Sequence, residues 1–569
     1  MVSNQPPNYD KIWDLCIVGT GPVGIALAME CERLGREVLV LESGGGEIDP
    51  KPTDDCHAAV VNPQQHRTME MAVRRALGGT SWLWGGRCIP FNNLDFTGRD
   101  FVPDSKWPIR HEDIRPWYEP ACKYMLCGSH TFQIPFDREL KAGLTVESIE
   151  RWATEPRLMR VYRERLQKSK RIKICLNSTM IDLDLRQNGQ SVESIVVATQ
   201  KGKVKIRAQR VVLATGGVEA TRLLLAVQRR WPDHFGGTGG PLGRYYMGRL
   251  SGTVASLVFD DPASIADYNL VLDSSGAYRR RRFALTEQTQ LENKLLNCGF
   301  WIDNPQFSDP RHGSGVLSAY FLALTIPPIG RWAIGRRAQA DSNRPLELGP
   351  KPYPIGAHLL NIVRDGPQVA TDVYLMLRDC VFKQTKKSSY TFPNRAGRFA
   401  LYYHGEQMPN PNSRIFLTNE ADRHGLPRAL INFRFADQDA RSIVSSHHLL
   451  DVGLQANKIG HLEFRYPPER LESRVMELAK DGRHQVGTTR MGDDPRDSVV
   501  DRNLKVHGVD NLYVVSTSVY RTDGQANSTL LAVALAMRLA DHLNCSVGNL
   551  DEVALSSQRG TQERTLQSP

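Results

Sequence analysis

Several features that would each fix the class of this chain are missing from it. No stretch of its 569 residues approaches the roughly 20 uninterrupted apolar positions that a membrane-spanning helix needs. Met1 to Lys11 is polar and lacks the charged-then-apolar layout of a secretory signal, so a cytoplasmic location is expected. The 10 cysteines form no CxxC or CxxH pair, which argues against a disulfide scaffold, a zinc site or a cysteine-ligated cluster. No internal repeat or long low-complexity tract is visible. The formal net charge is +10, yet no zinc-finger, homeodomain or RNP pattern accompanies it. Its one dense basic run, Arg279–Arg282, reads as a solvated face or a weak polyanion contact, and no nucleic-acid partner is expected. What remains is ordinary globular composition, 41% hydrophobic and 24% charged, in a chain too long for one simple core. Two intimately joined domains are expected, with polar tails at Met1–Tyr9 and Ser556–Pro569.

The first strong element is a βαβ unit. Leu15–Val18 reads as a buried parallel strand, Gly19-Thr20-Gly21-Pro22-Val23-Gly24 turns the chain, and Ile25–Leu34 reads as a helix. Val38–Leu41 is a second strand with Glu42 at its end, 23 residues beyond Gly19. In that context the glycine pattern signals a dinucleotide. Gly19 permits the tight turn, Gly21 lets backbone amides approach a pyrophosphate, and Gly24 allows close helix–strand packing. Pro22 and Val23 open the helix whose N-terminus attracts negative charge, and Glu42 can accept from a ribose diol. NAD and FAD both fit. A second strand, Val211–Ala214, runs into Thr215, Gly216 and Gly217 and then a helix, Glu219–Gln228; this second glycine turn favours FAD. A third unit is Leu512–Val515 followed by a helix over Thr529–Leu543. Three such units far apart in sequence predict one parallel sheet built from discontinuous segments.

The middle of the chain reads differently. Short, partly alternating runs around Thr253–Phe259, Phe399–His404, Ser413–Leu417 and Ala429–Phe435 predict an antiparallel sheet in a second domain. Tyr320–Ala338 is apolar but broken by Pro327, Pro328, Arg331, Arg336 and Arg337. A lid, a subunit contact and a membrane-surface patch are all open for it.

Four segments together resemble the glucose–methanol–choline (GMC) family of FAD-dependent alcohol oxidoreductases. They are Asp14–Gly45; Leu77–Arg87 (LGGTSWLWGGR); Val211–Leu225; and His484–Leu543, which contains HQVGTTRMG. Weaker echoes are Trp107-Pro108-Ile109, Trp117-Tyr118 and Glu406–Arg414. The resemblance implies an α/β fold: a Rossmann-like FAD-binding domain joined to an α+β substrate domain on a mostly antiparallel sheet, the architecture shared with p-hydroxybenzoate hydroxylase, with the active site between them. It carries over Gly78, Gly79, Ser81 and Gly85 as FAD contacts and the backbone of Met180 as the adenine contact. Residues 77–88 contain no histidine, so the flavin link of several sugar-oxidising relatives is not expected and FAD should be non-covalent. Asn527-Ser528 stands where many members have Asn-Pro, and Ser516-Thr517-Ser518 replaces a commoner acidic version. These departures look closer to the bacterial sugar and glycoside oxidoreductases and to pyranose 2-oxidase than to choline or cholesterol enzymes.

Moving a hydride from an alcohol carbon to flavin N5 requires the hydroxyl proton to leave, and a base working near neutrality suits histidine. His484 matches the family's catalytic histidine and Asn527, 43 residues later, its partner. Asn527 also begins a helix, so it can serve as an N-cap. That helix N-terminus can stabilise negative charge on a reduced flavin, which makes Ser528 and Thr529, with Ser518 ahead of them, candidate cofactor contacts. His507 reads as structural. His404 would share a face with Tyr402 and Glu406 on an extended strand and could line the substrate pocket, though a satisfied structural histidine fits better.

The expected domains are 10–125, 169–250 and 481–546 for FAD, 126–168 as a connecting segment, 251–480 for substrate, and a tail over 547–569. The expected activity is oxidation of an alcohol, on a sugar or glycoside, with dioxygen, a quinone or a redox partner protein as acceptor. Oligomeric state is left open. A flavin- and NAD(P)H-dependent monooxygenase and a non-catalytic FAD-binding module are the alternatives.

Overall fold

In the computed structural model, residues 2–3, 10–48, 58–332, 348–349, 351–382, 387 and 389–545 are described. The C-terminal tail, most of the N-terminal one, and Arg336 and Arg337 lie outside them.

The strand Ile12–Val18 is buried almost throughout, as a strand covered by helices on both faces must be. It pairs in parallel with Val38–Leu41 on one side and Gly202–Leu213 on the other. Ile172–Cys175 and Val2–Ser3 continue the parallel order beyond Val38–Leu41. Gly202–Leu213 has two characters. Its first residues are exposed or alternate and form an antiparallel hairpin with Val192–Thr199, which pairs in turn with Thr179–Leu185. Its last three, Val211–Leu213, are buried and accept Leu512–Val514 as a further parallel neighbour. The discontinuous parallel sheet is therefore present, with an antiparallel wing on the edge.

Three helices follow these strands: Pro22–Arg33, Gly217–Gln228 and 529–545. The first starts three residues before the pattern predicts, because Pro22 carries the right φ for a first helical position and has no N–H to leave unpaired.

The second sheet is wholly antiparallel. Its order is Gly460–Phe464, Leu250–Phe259, Arg398–Gly405, Cys298–Asp303, Phe283–Leu285 and Leu144–Thr145. Two runs expected in it lie elsewhere. Arg414–Ala421 and Pro427–Asn432 pair with each other, and the latter with Ala59–Val60, in a separate three-stranded sheet. Both pack on the helix Gly217–Gln228, which draws them towards the dinucleotide half. Each large sheet has its own apolar core. No helix among the described residues is long and apolar enough to cross a membrane.

Candidate active site

A cavity of about 470 Å³ runs from the carboxyl ends of the parallel strands to the face of the antiparallel sheet. On the first side it is lined by Gly19, Gly21, Pro22, Val23 and Glu42. Gly21 caps the helix Pro22–Arg33, and a Cβ added there would meet nothing within 4 Å, so bare backbone faces the cavity. Gly24 does the opposite: its Cβ would lie 2.0 Å from the Gly19 carbonyl oxygen, so it serves helix–strand packing behind the cavity. Glu42 accepts from Thr20 N at 3.1 Å and Gly44 N at 2.9 Å, and burial pushes its carboxyl above the ordinary value.

Gly79, Ser81 and Gly85 line the cavity, as do Met180, Thr215, Gly216, Ser528 and Thr529. Gly79 lies directly on the Gly19–Gly24 turn, since its Cβ would come within 2.8 Å of Gly21 Cα. Gly78 is set back at φ 97°, where its N–H donates to Thr20 Oγ1 at 3.2 Å and fixes the loop. Ser518 does not reach the cavity. It is fully buried, its hydroxyl bonded to those of Ser516 and Thr489, both at 2.6 Å; Ser516 and Thr517 face the cavity instead. The site suits a dinucleotide on its own terms. It has an open glycine backbone at a helix N-terminus, a carboxylate at the next strand end, and a buried Thr215 hydroxyl with no partner.

At the other end stands His484, whose Nδ1 lies 2.7 Å from Asp481 Oδ2. A carboxylate can only accept, so Nδ1 carries the proton and Nε2 presents a lone pair. Burial by itself would push the Asp481 carboxyl up; the His484 ring, with Arg249 nearby, holds it well below its usual range. Arg249 Nη1 approaches His484 Nε2 at 3.5 Å, and its Nη2 donates to the carbonyls of Asp523 and Ala526. Arg249 thus links the histidine to the segment that carries Asn527. Asn527 is not a helix cap: its Oδ1 is buried without a partner and it lines the cavity, while the helix opens with Ala532 N donating to the Ser528 carbonyl.

His404 also faces this end, edge-on to Trp301 with ring centroids 4.6 Å apart. Burial and the cations Arg87, Arg249 and Arg282 push it well below its ordinary value, so it is neutral, and its Nδ1 has no partner. The structural reading of His404 is therefore replaced by a site-lining one. His507, by contrast, is tied to Ser498 Oγ and the Gly492 carbonyl away from the cavity.

The arginine run is the clearest correction. Arg280 and Arg282 are buried rather than solvated, because Tyr278–Arg281 is a strand that turns alternate residues inward. Together with Arg87 they surround the fully buried carboxylate of Glu150. Burial pushes Glu150 up, but the three cations outweigh that and hold it low. Arg87 lies 4.0 Å over the Trp301 ring and lines the cavity. Asp481, Arg249, Arg87, Glu150 and Trp301 were not singled out from sequence. Asp481, three residues before His484, and Arg87, at the end of the segment Leu77–Arg87, left a local signal; the others are brought in by strands far away along the chain.

Two family profiles match the chain: GMC oxidoreductase over residues 409–536 and FAD binding domain over residues 52–241. The large subunit of fructose dehydrogenase from Gluconobacter japonicus is 32% identical over 143 residues, 25% of this chain and only 24% of that relative. Paromamine 6'-oxidase from Streptomyces fradiae is 22% identical across 93% of this chain and 91% of its own length. The fold is that of pyridoxine 4-oxidase from Mesorbium loti, with a TM-score of 0.54 at 15% identity over 93% of this chain and 99% of the other.

Proposed function

The chain belongs to the GMC oxidoreductases, FAD-dependent enzymes that act on alcohols or sugars, and on that premise we propose that it oxidises a hydroxyl of a carbohydrate or glycoside to a carbonyl, with His484 as general base. The observation that carries this reading is the His484–Asp481 pair opening on a cavity shared with the unpartnered Asn527 Oδ1.

An alcohol gives up hydride far more readily once its hydroxyl proton has left. His484 Nε2 takes that proton while Asp481, through Nδ1–H, fixes the ring and balances the imidazolium that forms. Asn527 and the Arg249 guanidinium lie where they can steady the developing alkoxide by hydrogen bonding and charge. FAD, when bound, supplies the hydride acceptor. The chain's own part is to hold its pyrophosphate at Gly19–Gly24 and its ribose at Glu42, with Gly79, Ser81 and Gly85 closing over it. Residues 77–88 contain no histidine, which supports non-covalent attachment.

A carbohydrate suits the substrate end because polar atoms there lack partners that a polyol would supply: His404 Nδ1 and Asn527 Oδ1. Names among the relatives, a fructose dehydrogenase and a paromamine oxidase, point the same way. The test is the visible spectrum of the purified holoenzyme, recorded anaerobically before and after a panel of sugars, glycosides and simple alcohols. Flavin bands that bleach with a sugar or glycoside are the expected result. Bleaching with NADPH and with no alcohol would replace this reading by a monooxygenase one.

A further inference from the structure

Outside the catalytic cavity, the most unusual region is a helical lobe on the antiparallel sheet. It consists of Gly315–Thr325, Ile355–Asp365 and Pro367–Leu377. Gly315–Thr325 buries Val316, Leu317, Phe321 and Leu324 in the ordinary way, but the polarity of the other two helices is reversed. On Ile355–Asp365 the inward side chains are His358 and Asn361, which meet Ser318 Oγ of the neighbouring helix at 3.0 and 3.2 Å. The buried residue of Pro367–Leu377 is Asp372. The outward positions are Leu359, Leu360, Val363, Tyr374 and Leu377, with Val363 77% and Tyr374 63% exposed. A helix packed on a core in water does the reverse. Polar side chains inside and large apolar side chains outside are what an apolar surrounding selects.

The charges of the lobe are sorted by sign. Arg331, Lys351 and Arg364 are exposed. Among the described residues its carboxylates are turned inward: Asp372 and Asp379 are buried, and Asp365 accepts from Gly315 N and pairs with Arg395. Two copies meeting through this face would set those cations against themselves. An anionic lipid surface would complement them, with the apolar side chains below the headgroups.

A second cavity, of about 650 Å³, lies between lobe and sheet. Tyr320, Val373 and Leu377 line it and are also exposed, so its mouth opens within the apolar face. Its floor includes Thr253 and Tyr402, and Tyr402 is two residues from His404 of the catalytic cavity and so on the same side of its strand.

We propose that these three helices form a membrane-docking face, seated in the headgroup and acyl boundary of an anionic bilayer without crossing it. The proposal is independent of the substrate reading. It is tested by floating the full-length flavin-loaded protein with phosphatidylcholine vesicles, with and without phosphatidylglycerol. The protein should float with the anionic vesicles and several-fold less without phosphatidylglycerol. Val363→Glu/Tyr374→Glu should cut the bound fraction at least tenfold while turnover with a soluble dye acceptor is unchanged. Should that variant lose activity, Lys351→Glu/Arg364→Glu decides the matter, and its binding to anionic vesicles must fall several-fold. The proposal is overturned if the wild type does not float, if the folded variants float as it does, or if light scattering finds a wild-type dimer that Val363→Glu/Tyr374→Glu converts to monomer.

Discussion

On the parallel-sheet side of the catalytic cavity the glycine turns present backbone, Gly19, Gly21, Gly79 and Gly216 with two helix N-termini, beside Glu42 at the strand end and Glu219 and Arg222 on the second helix. On the antiparallel side it is side chain: His404 and Arg249 over a layer of Trp301, Arg87 and the Glu150 ion-pair cluster. The first wall needs close approach at its glycine turns, and its buried cation, Arg222, stands one helical turn further on, paired with Glu219 and Asp422. The second holds buried cations that are tolerable only because a carboxylate sits among them. One wall is therefore sensitive to volume and the other to charge.

The largest effect expected on the charge-built side is chemical. His484→Ala should lower kcat by about a hundred- to ten-thousandfold while leaving FAD content unchanged, as read by anaerobic flavin bleaching against the bound-flavin spectrum. A fall of less than tenfold would remove His484 from the proton transfer. Next, Glu150→Ala strands the buried Arg280 and Arg282 and the half-buried Arg87 and should cost about 3–5 kcal/mol of stability in urea unfolding. A cost below about 1 kcal/mol would mean that the cluster is solvated and that the contrast between the walls fails there.

A pH effect of similar size belongs to the antiparallel core. His447 is fully buried against Phe300 and Tyr403, and burial pushes it down to about 4 from 6.5. The unfolded chain therefore binds the proton first, so the stability it contributes is full above pH 6.5 and is lost as pH falls towards 4. Relative to His447→Gln, the wild type should lose up to about 3 kcal/mol across that window; equal slopes would refute the burial argument. The smallest effects probe the backbone wall. Gly24→Ala should destabilise by about 1–3 kcal/mol, because its methyl would strike the Gly19 carbonyl. Gly21→Ala should change the flavin-free stability by less than about 0.5 kcal/mol yet weaken FAD retention. The reverse ranking would invert the assignment of the two glycines.

The legibility of the two walls differs for the same reason. The placement of Gly19–Gly24, Glu42, Thr215 and Gly216 could be read because it depends on neighbours within a few residues: a turn, a helix start, a strand end. His484 and Asn527 were found through a resemblance covering the segments around them. Ser518 was misplaced by two residues because which hydroxyl of Ser516-Thr517-Ser518 faces the cavity depends on a bond to Thr489 in another segment. The arginines of Tyr278–Arg281 looked solvated because nothing near them in sequence neutralises them; Glu150, 130 residues away from Arg280, does so.

The sequence alone determined the dinucleotide unit, its order of strand, glycine turn and helix, and the presence of two sheets of different kind, since hydrophobic period and glycine placement are local properties of a chain. Only the tertiary structure decided which charges would be buried, that Asp481 and Arg249 flank His484, and that Ile355–Asp365 and Pro367–Leu377 turn their apolar faces outward. Those outcomes follow from which surfaces meet, and the free energy of a buried charge or an exposed leucine is set by its neighbours in space.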